Sequence, residues 1–123
     1  MEILSSNKAP QAIGPYSQAI KSGNFIFCSG QIPLNTEGEV VGKSVEEQTK
    51  QILENIKNLL EDVGSGLSNV VKTTIFLTDI NDFPIVNEIY GKYMSHKPAR
   101  STVAVASLPK GVKIEIEVIA EII

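Results

Sequence analysis

Arg100 is the only arginine among eleven basic residues, and it stands in Pro98-Ala99-Arg100-Ser101-Thr102-Val103, where a polar loop turns into an apolar strand. A guanidinium presents a planar fork of donors that grips a carboxylate through two parallel hydrogen bonds; a lysine ammonium is a solvated point charge on a flexible stem. The residue type therefore points to recognition of a small carboxylate, with a surface or inter-subunit salt bridge as the competing use. Glu115 and Glu117 alternate in an apolar run, which puts them about 7 Å apart on one face of a strand. Carboxylate-pair enzymes use such a spacing, but the signal is weak by itself, because alternating glutamates are commonplace on a half-solvated strand.

Two irregular segments could border a ligand. In Ile13-Gly14-Pro15-Tyr16-Ser17-Gln18, Gly-Pro sets a loop that exposes the Tyr16 phenol just before a strand. In Ser29-Gly30-Gln31-Ile32-Pro33, the glycine lets backbone amides approach a bound molecule. Each also reads as an ordinary turn. The sole cysteine and sole histidine, Cys28 and His96, are a poor nucleophile and base pair. Cys28 follows Phe25-Ile26-Phe27 as a buried strand residue, and His96 belongs to a solvated loop. The two make no zinc set, and the scattered acids make no calcium loop, so no metal is expected. Gly64-Ser65-Gly66 lacks the Lys-Ser or Lys-Thr of a phosphate loop and reads as a helix stop.

The elements that must carry these residues are legible from periodicity. Ser44 and Glu47 form a capping box ahead of Val45, Ile52, Leu53, Ile56, Leu59, Leu60 and Val63, which share one helical face, and Gly64 ends the helix. A second helix begins near Asp79 or Asn81, with Pro84 in its first turn and Phe83, Val86, Ile89, Tyr90, Tyr93 and Met94 along its apolar side, widened by Ile85. Strands are expected at Gln18 to Lys21, Phe25 to Ser29, Val70 to Leu77, Thr102 to Ala106 and Val112 to Ile122, with a hairpin at Lys21-Ser22-Gly23-Asn24. Each helix lies between two strands, which implies crossovers and parallel pairings in a mixed sheet.

In the last strand Val112, Ile114, Ile116, Val118, Ala120 and Ile122 form a wholly apolar face to lie beneath both helices. The opposite face mixes glutamates with isoleucines. Two helices cannot cover both sides, so self-association of the second face is expected.

At 123 residues, with 42% hydrophobic and 20% charged residues, the chain has the size and composition of a single α+β domain over residues 1–123. A net charge of -3 with dispersed lysines offers no footprint for nucleic acid or an anionic membrane. The amino terminus lacks the basic start and long apolar run of a secretion signal. No stretch approaches the ~20 apolar residues of a membrane span, so a cytoplasmic location is expected.

The segments from Ile13 to Ala19, Ser29 to Pro33, Val71 to Leu77, Asn81 to Phe83, Pro98 to Ser101 and Leu108 to Glu117 occur in order through nearly the whole chain. Together they resemble the RidA/YjgF family of reactive-intermediate deaminases. The resemblance implies a chorismate-mutase-like α+β fold with two helices on one sheet face, assembled as a homotrimer with a ligand cleft at each subunit interface. It implies cofactor-free hydrolysis of short 2-imino acids and their enamines, such as 2-iminobutanoate and 2-iminopropanoate, to 2-oxo acids and ammonia. By the same resemblance Arg100 holds the substrate carboxylate, Glu115 orients or activates water, and Tyr16 closes the cleft. Ser29, Gly30, Asn87 and Thr102 border the ligand. Many relatives have Cys at the position of Thr102 and an aromatic residue at that of Lys97.

Two other readings compete. One is a non-catalytic module that binds 2-oxo acids in the same cleft, since a pocket does not guarantee turnover. The other is the ribonuclease or translation-inhibitor activity attributed to some family members, against which the acidic balance counts.

Overall fold

A computed structural model describes residues 1–123. Its first long element is a helix, α1, over Val45–Asp62, and the residues around it explain both ends. Ser44 Oγ accepts from the Glu47 amide at 3.1 Å, and the Glu47 carboxylate accepts from the Ser44 amide and hydroxyl in return. Those bonds hold the Glu47 carboxyl below its ordinary range, the Ser44 side chain contributing most. Past the helix, Gly64 takes φ +93°, a conformation that spares only glycine a steric cost. The second helix, α2, spans Phe83–Tyr93. It starts later than the sequence reading had it because Asp79 caps the Asn81 amide at 2.9 Å and a 3₁₀ turn occupies Ile80–Asp82 first. Pro84 sits in the first helical turn as expected, whereas Ile85 stays exposed instead of widening the packed stripe.

Six strands form one mixed sheet: β1 Glu2–Leu4, β2 Ala19–Ser22, β3 Phe25–Cys28, β4 Val70–Leu77, β5 Ala99–Ala104 and β6 Ile114–Glu121. Their order is β1-β2-β3-β6-β4-β5. The hairpin between β2 and β3 turns at Gly23-Asn24, as its residues predict. Of the two expected parallel pairings, β4 with β5 is direct. Strands β3 and β4 run the same way but are separated by β6, which is antiparallel to both. Strand β6, wholly apolar on one face, thereby takes a central position.

Strand β5 begins at Ala99, three residues before the expected Thr102, because β4 offers partners as far back as Lys72. Arg100 is therefore a strand residue, registered with Thr73. Strand β1 was not expected; three residues carry too little alternation to announce an edge strand.

Ile114, Ile116, Val118 and Ala120 of β6 are all buried, as their alternation predicts. They join Ile26, Ile75 and Leu77 from neighbouring strands, the apolar stripe of α1, and Val86, Ile89 and Tyr90 of α2 in one core of 21 buried residues. Both helices thus cover the same face. On the other face Phe25 and Phe27 remain 41% and 43% exposed, beside Glu115, Glu117 and Ile119. No helix is long and apolar enough to cross a membrane.

Candidate active site

The seven residues singled out from the sequence separate into two groups. The first is built around Arg100 on the helix side of β5. Its guanidinium Nη1 donates to Asn87 Oδ1 at 2.7 Å. Its Cζ lies 5.1 Å from the centre of the Phe83 ring and 5.0 Å from that of Tyr90. Cation–π attraction and a charge-assisted hydrogen bond to a neutral amide hold the fork in place, and none of the three ion pairs of the chain involves it. The result is an oriented cation with its charge uncompensated, the property an anion receptor needs. Thr102, two residues on, shares the same face of β5. Its buried hydroxyl has no hydrogen-bond partner within the chain.

Phe83 and Tyr90, whose types mark only an apolar stripe, thus have a second role against the guanidinium. The signal for their second role was their spacing around Asn87, since positions 83, 87 and 90 fall on one side of a helix. The Tyr90 hydroxyl is itself fixed by Thr73 Oγ1 at 2.7 Å, directly beneath Arg100 in the register.

The second group surrounds the end of β3. Ser29 Oγ donates to the Ser17 carbonyl at 2.6 Å, which ties the strand end to the loop that carries Tyr16. The serine hydroxyl proton therefore positions that loop. Tyr16 is 52% exposed and folds back so that its hydroxyl accepts from the Ile13 amide at 3.3 Å. Gln18, which was not singled out, anchors the preceding chain: its buried amide bonds to Ser6 in both directions and to the Pro10 carbonyl at 2.7 Å. Tyr16, Ser29 and Gly30 line a cavity of about 200 Å³ together with Ile13, Gln31 and Pro109.

Glu115 belongs to this second group. A Cβ on Gly30 would overlap its carboxylate, so the backbone at Gly30 and the glutamate are packed in direct contact. Burial raises the Glu115 pKa above its ordinary value, and the like charge of Glu117 raises it further. A half-buried carboxyl shifted in that direction moves toward the pH at which a group can both take and return a proton.

The two groups do not meet within one chain. Arg100 is registered with Thr73, a buried residue of the helix face, while Glu115 is registered with Phe76 on the open face. A small acid held by Arg100 does not reach Glu115 of the same molecule.

Cys28 and His96 are apart from both groups. Burial pushes the Cys28 thiol up to about 12, which leaves it unfit as a nucleophile. His96 is exposed but not merely solvated, since its Nε2 lies 2.8 Å from the Val70 carbonyl. No three His, Cys, Asp or Glu side chains gather in a way that could hold a metal ion.

Comparison with known proteins bears on this geometry. Residues 6–122 match the family model described as endoribonuclease L-PSP. A RutC family protein of Pyrococcus abyssi is 54% identical over 121 residues, covering 97% of this chain and 95% of the relative. The human 2-iminobutanoate/2-iminopropanoate deaminase is 50% identical over 120 residues, covering 96% and 88%. Among solved structures, E. coli TdcF with bound serine superposes with a TM-score of 0.92 at 41% identity, covering 98% of each chain. Its two helices on a mixed sheet, its ordered motifs and these relatives agree: the chain belongs to the L-PSP family, which includes the RidA/YjgF reactive-intermediate deaminases.

Proposed function

We propose that this protein hydrolyses short 2-imino acids and their enamine tautomers, 2-iminobutanoate and 2-iminopropanoate among them, to 2-oxo acids and ammonia. It does so in a homotrimer of chorismate-mutase-like subunits, with Arg100 of one copy facing Glu115 of the next. The observation that carries the reading is the pair of incomplete half-sites: an oriented, uncompensated guanidinium on one sheet face and a raised-pKa carboxyl beside a cavity on the other. The human relative named for this reaction supports the substrate class.

The chemistry asks little of the protein. An iminium already reacts with water, so holding it still and placing the water supplies most of the help needed. Arg100 grips the carboxylate, with Asn87, Phe83 and Tyr90 fixing its fork. The Glu115 carboxylate accepts a proton as water adds to C2, forming the C–O bond of a carbinolamine. The same proton is returned to nitrogen, the C–N bond breaks, and ammonia leaves as the hydroxyl proton is lost to solvent and the 2-oxo acid forms. Tyr16 closes the cavity over the reacting carbon. Gly30 and Thr102 border the ligand from either side.

The test couples the protein to a threonine dehydratase and follows imine decay by trapping with semicarbazide. Wild-type protein is expected to speed imine loss, and Arg100→Ala to lose that effect while keeping its circular dichroism. Unchanged turnover in Arg100→Ala overturns the assigned role. Binding of 2-oxobutanoate without any acceleration identifies a binding module instead, and RNA cleavage lost in Glu115→Ala identifies a nuclease.

A further inference from the structure

Arg100 does not stand alone in its cavity. Lys97 lines the same space of about 360 Å³, along with Asn87 and Tyr90, and no Asp or Glu is among the lining residues. Like Arg100, Lys97 takes part in none of the ion pairs of the chain. Its backbone is one of only two non-glycine positions in the left-handed region, at φ +58°. Residues other than Gly, Asn and Asp rarely adopt that conformation without a reason outside the turn itself. The Lys97 amide donates to the Met94 carbonyl at 3.0 Å, closing the turn, and Pro98 then sends the chain into β5. The turn sets a second cation three residues before the first, on the wall of one cavity.

Two uncompensated positive charges in one cavity favour a ligand with two negative charges over a ligand with one. The difference between them assigns their tasks. A rigid fork suits the carboxylate adjoining the imine, whose geometry is fixed, whereas a flexible ammonium suits a carboxylate at the end of a side chain of variable length. We infer that this site takes dicarboxylic 2-imino acids, such as 2-iminosuccinate and 2-iminoglutarate, with Arg100 on the carboxylate next to the imine and Lys97 on the distal one. The inference rests on the deaminase reading above and adds the substrate class; water addition and loss of ammonia proceed unchanged.

Calorimetric titration of wild type and Lys97→Gln with 2-oxoglutarate and with 2-oxobutanoate tests the charge pairing without turnover. In wild type the dicarboxylate should bind about fivefold more tightly, the scale of one partly exposed ion pair. In Lys97→Gln the ratio should fall to about one, and raising the salt should shrink it in wild type. Lys97→Asn, which suits left-handed backbone, must give the same result and guards against a disturbed turn. Equal affinities in wild type, or a preference that survives both substitutions, overturn the inference and leave the deaminase reading intact. Decay of 2-iminosuccinate and of 2-iminobutanoate, each generated by an oxidase or dehydratase, is then compared. If neither decays faster than in buffer, the deaminase reading falls and this inference falls with it.

Discussion

Arg100 and Glu115 occupy opposite faces of one sheet, the arginine registered with Thr73 beneath α2 and the glutamate with Phe76 on the uncovered side. Alternation along a strand makes that opposition rigid, because no rotamer carries a side chain through the backbone plane. Cooperation between the two residues requires two copies of the chain.

That requirement gives a complementation experiment. Arg100→Ala and Glu115→Ala should each be inactive, yet mixing them through reversible unfolding should restore about one quarter of wild-type activity, because a random assembly joins the intact arginine of one variant to the intact glutamate of the other at that frequency. No recovery in a sample that native mass spectrometry shows to contain mixed assemblies would mean that each chain works alone.

The acid limb of the pH–rate profile should respond to Glu117. On the proposed mechanism Glu115 takes a proton from water, so activity should fall as pH drops through its pKa, which burial and, secondarily, Glu117 raise. Glu117→Gln removes the repulsion but not the burial. The limb should move to lower pH by part of the total displacement. The same direction governs stability: a carboxyl with a raised folded pKa disfavours the fold above its unfolded value. Glu115→Gln should therefore have a higher Tm than wild type at neutral pH, and the difference should vanish well below the ordinary carboxylate range. A limb that stays in place in Glu117→Gln would remove Glu115 as the titrating group.

Gly30→Ala should separate geometry from folding. The added methyl meets the far end of the Glu115 side chain, which can rotate aside, so the Tm should change little. Turnover should fall about tenfold or more if Glu115 positions the water as proposed, since displacing such a group by a fraction of its length is costly. Normal turnover in a correctly folded Gly30→Ala protein would place the water elsewhere.

Much of this arrangement was readable from residue order. The capping box at Ser44 and Glu47, the stripe of α1 and the strict alternation of β6 are local signals, and each produced the element it announced. The face of Glu115 was readable from the alternation of β6, whereas the face of Arg100 was not, because it depends on strand register. Pairing with β4 drew the start of β5 back to Ala99 and fixed the parity of Arg100. The insertion of β6 between β3 and β4 is likewise a matter of competition among strands, not of local propensity. Residue identity nominated the guanidinium, but only packing disclosed that two aromatic rings and an amide hold it.

The single thiol of the chain has one more consequence. Cys28 is 7% exposed, and its thiol is pushed up to about 12, so almost none of it exists as thiolate at neutral pH. The thiolate is the form that oxidants and alkylating electrophiles attack. In the folded protein Cys28 therefore offers oxidants and electrophiles almost no thiolate to modify, and its modification has to await unfolding.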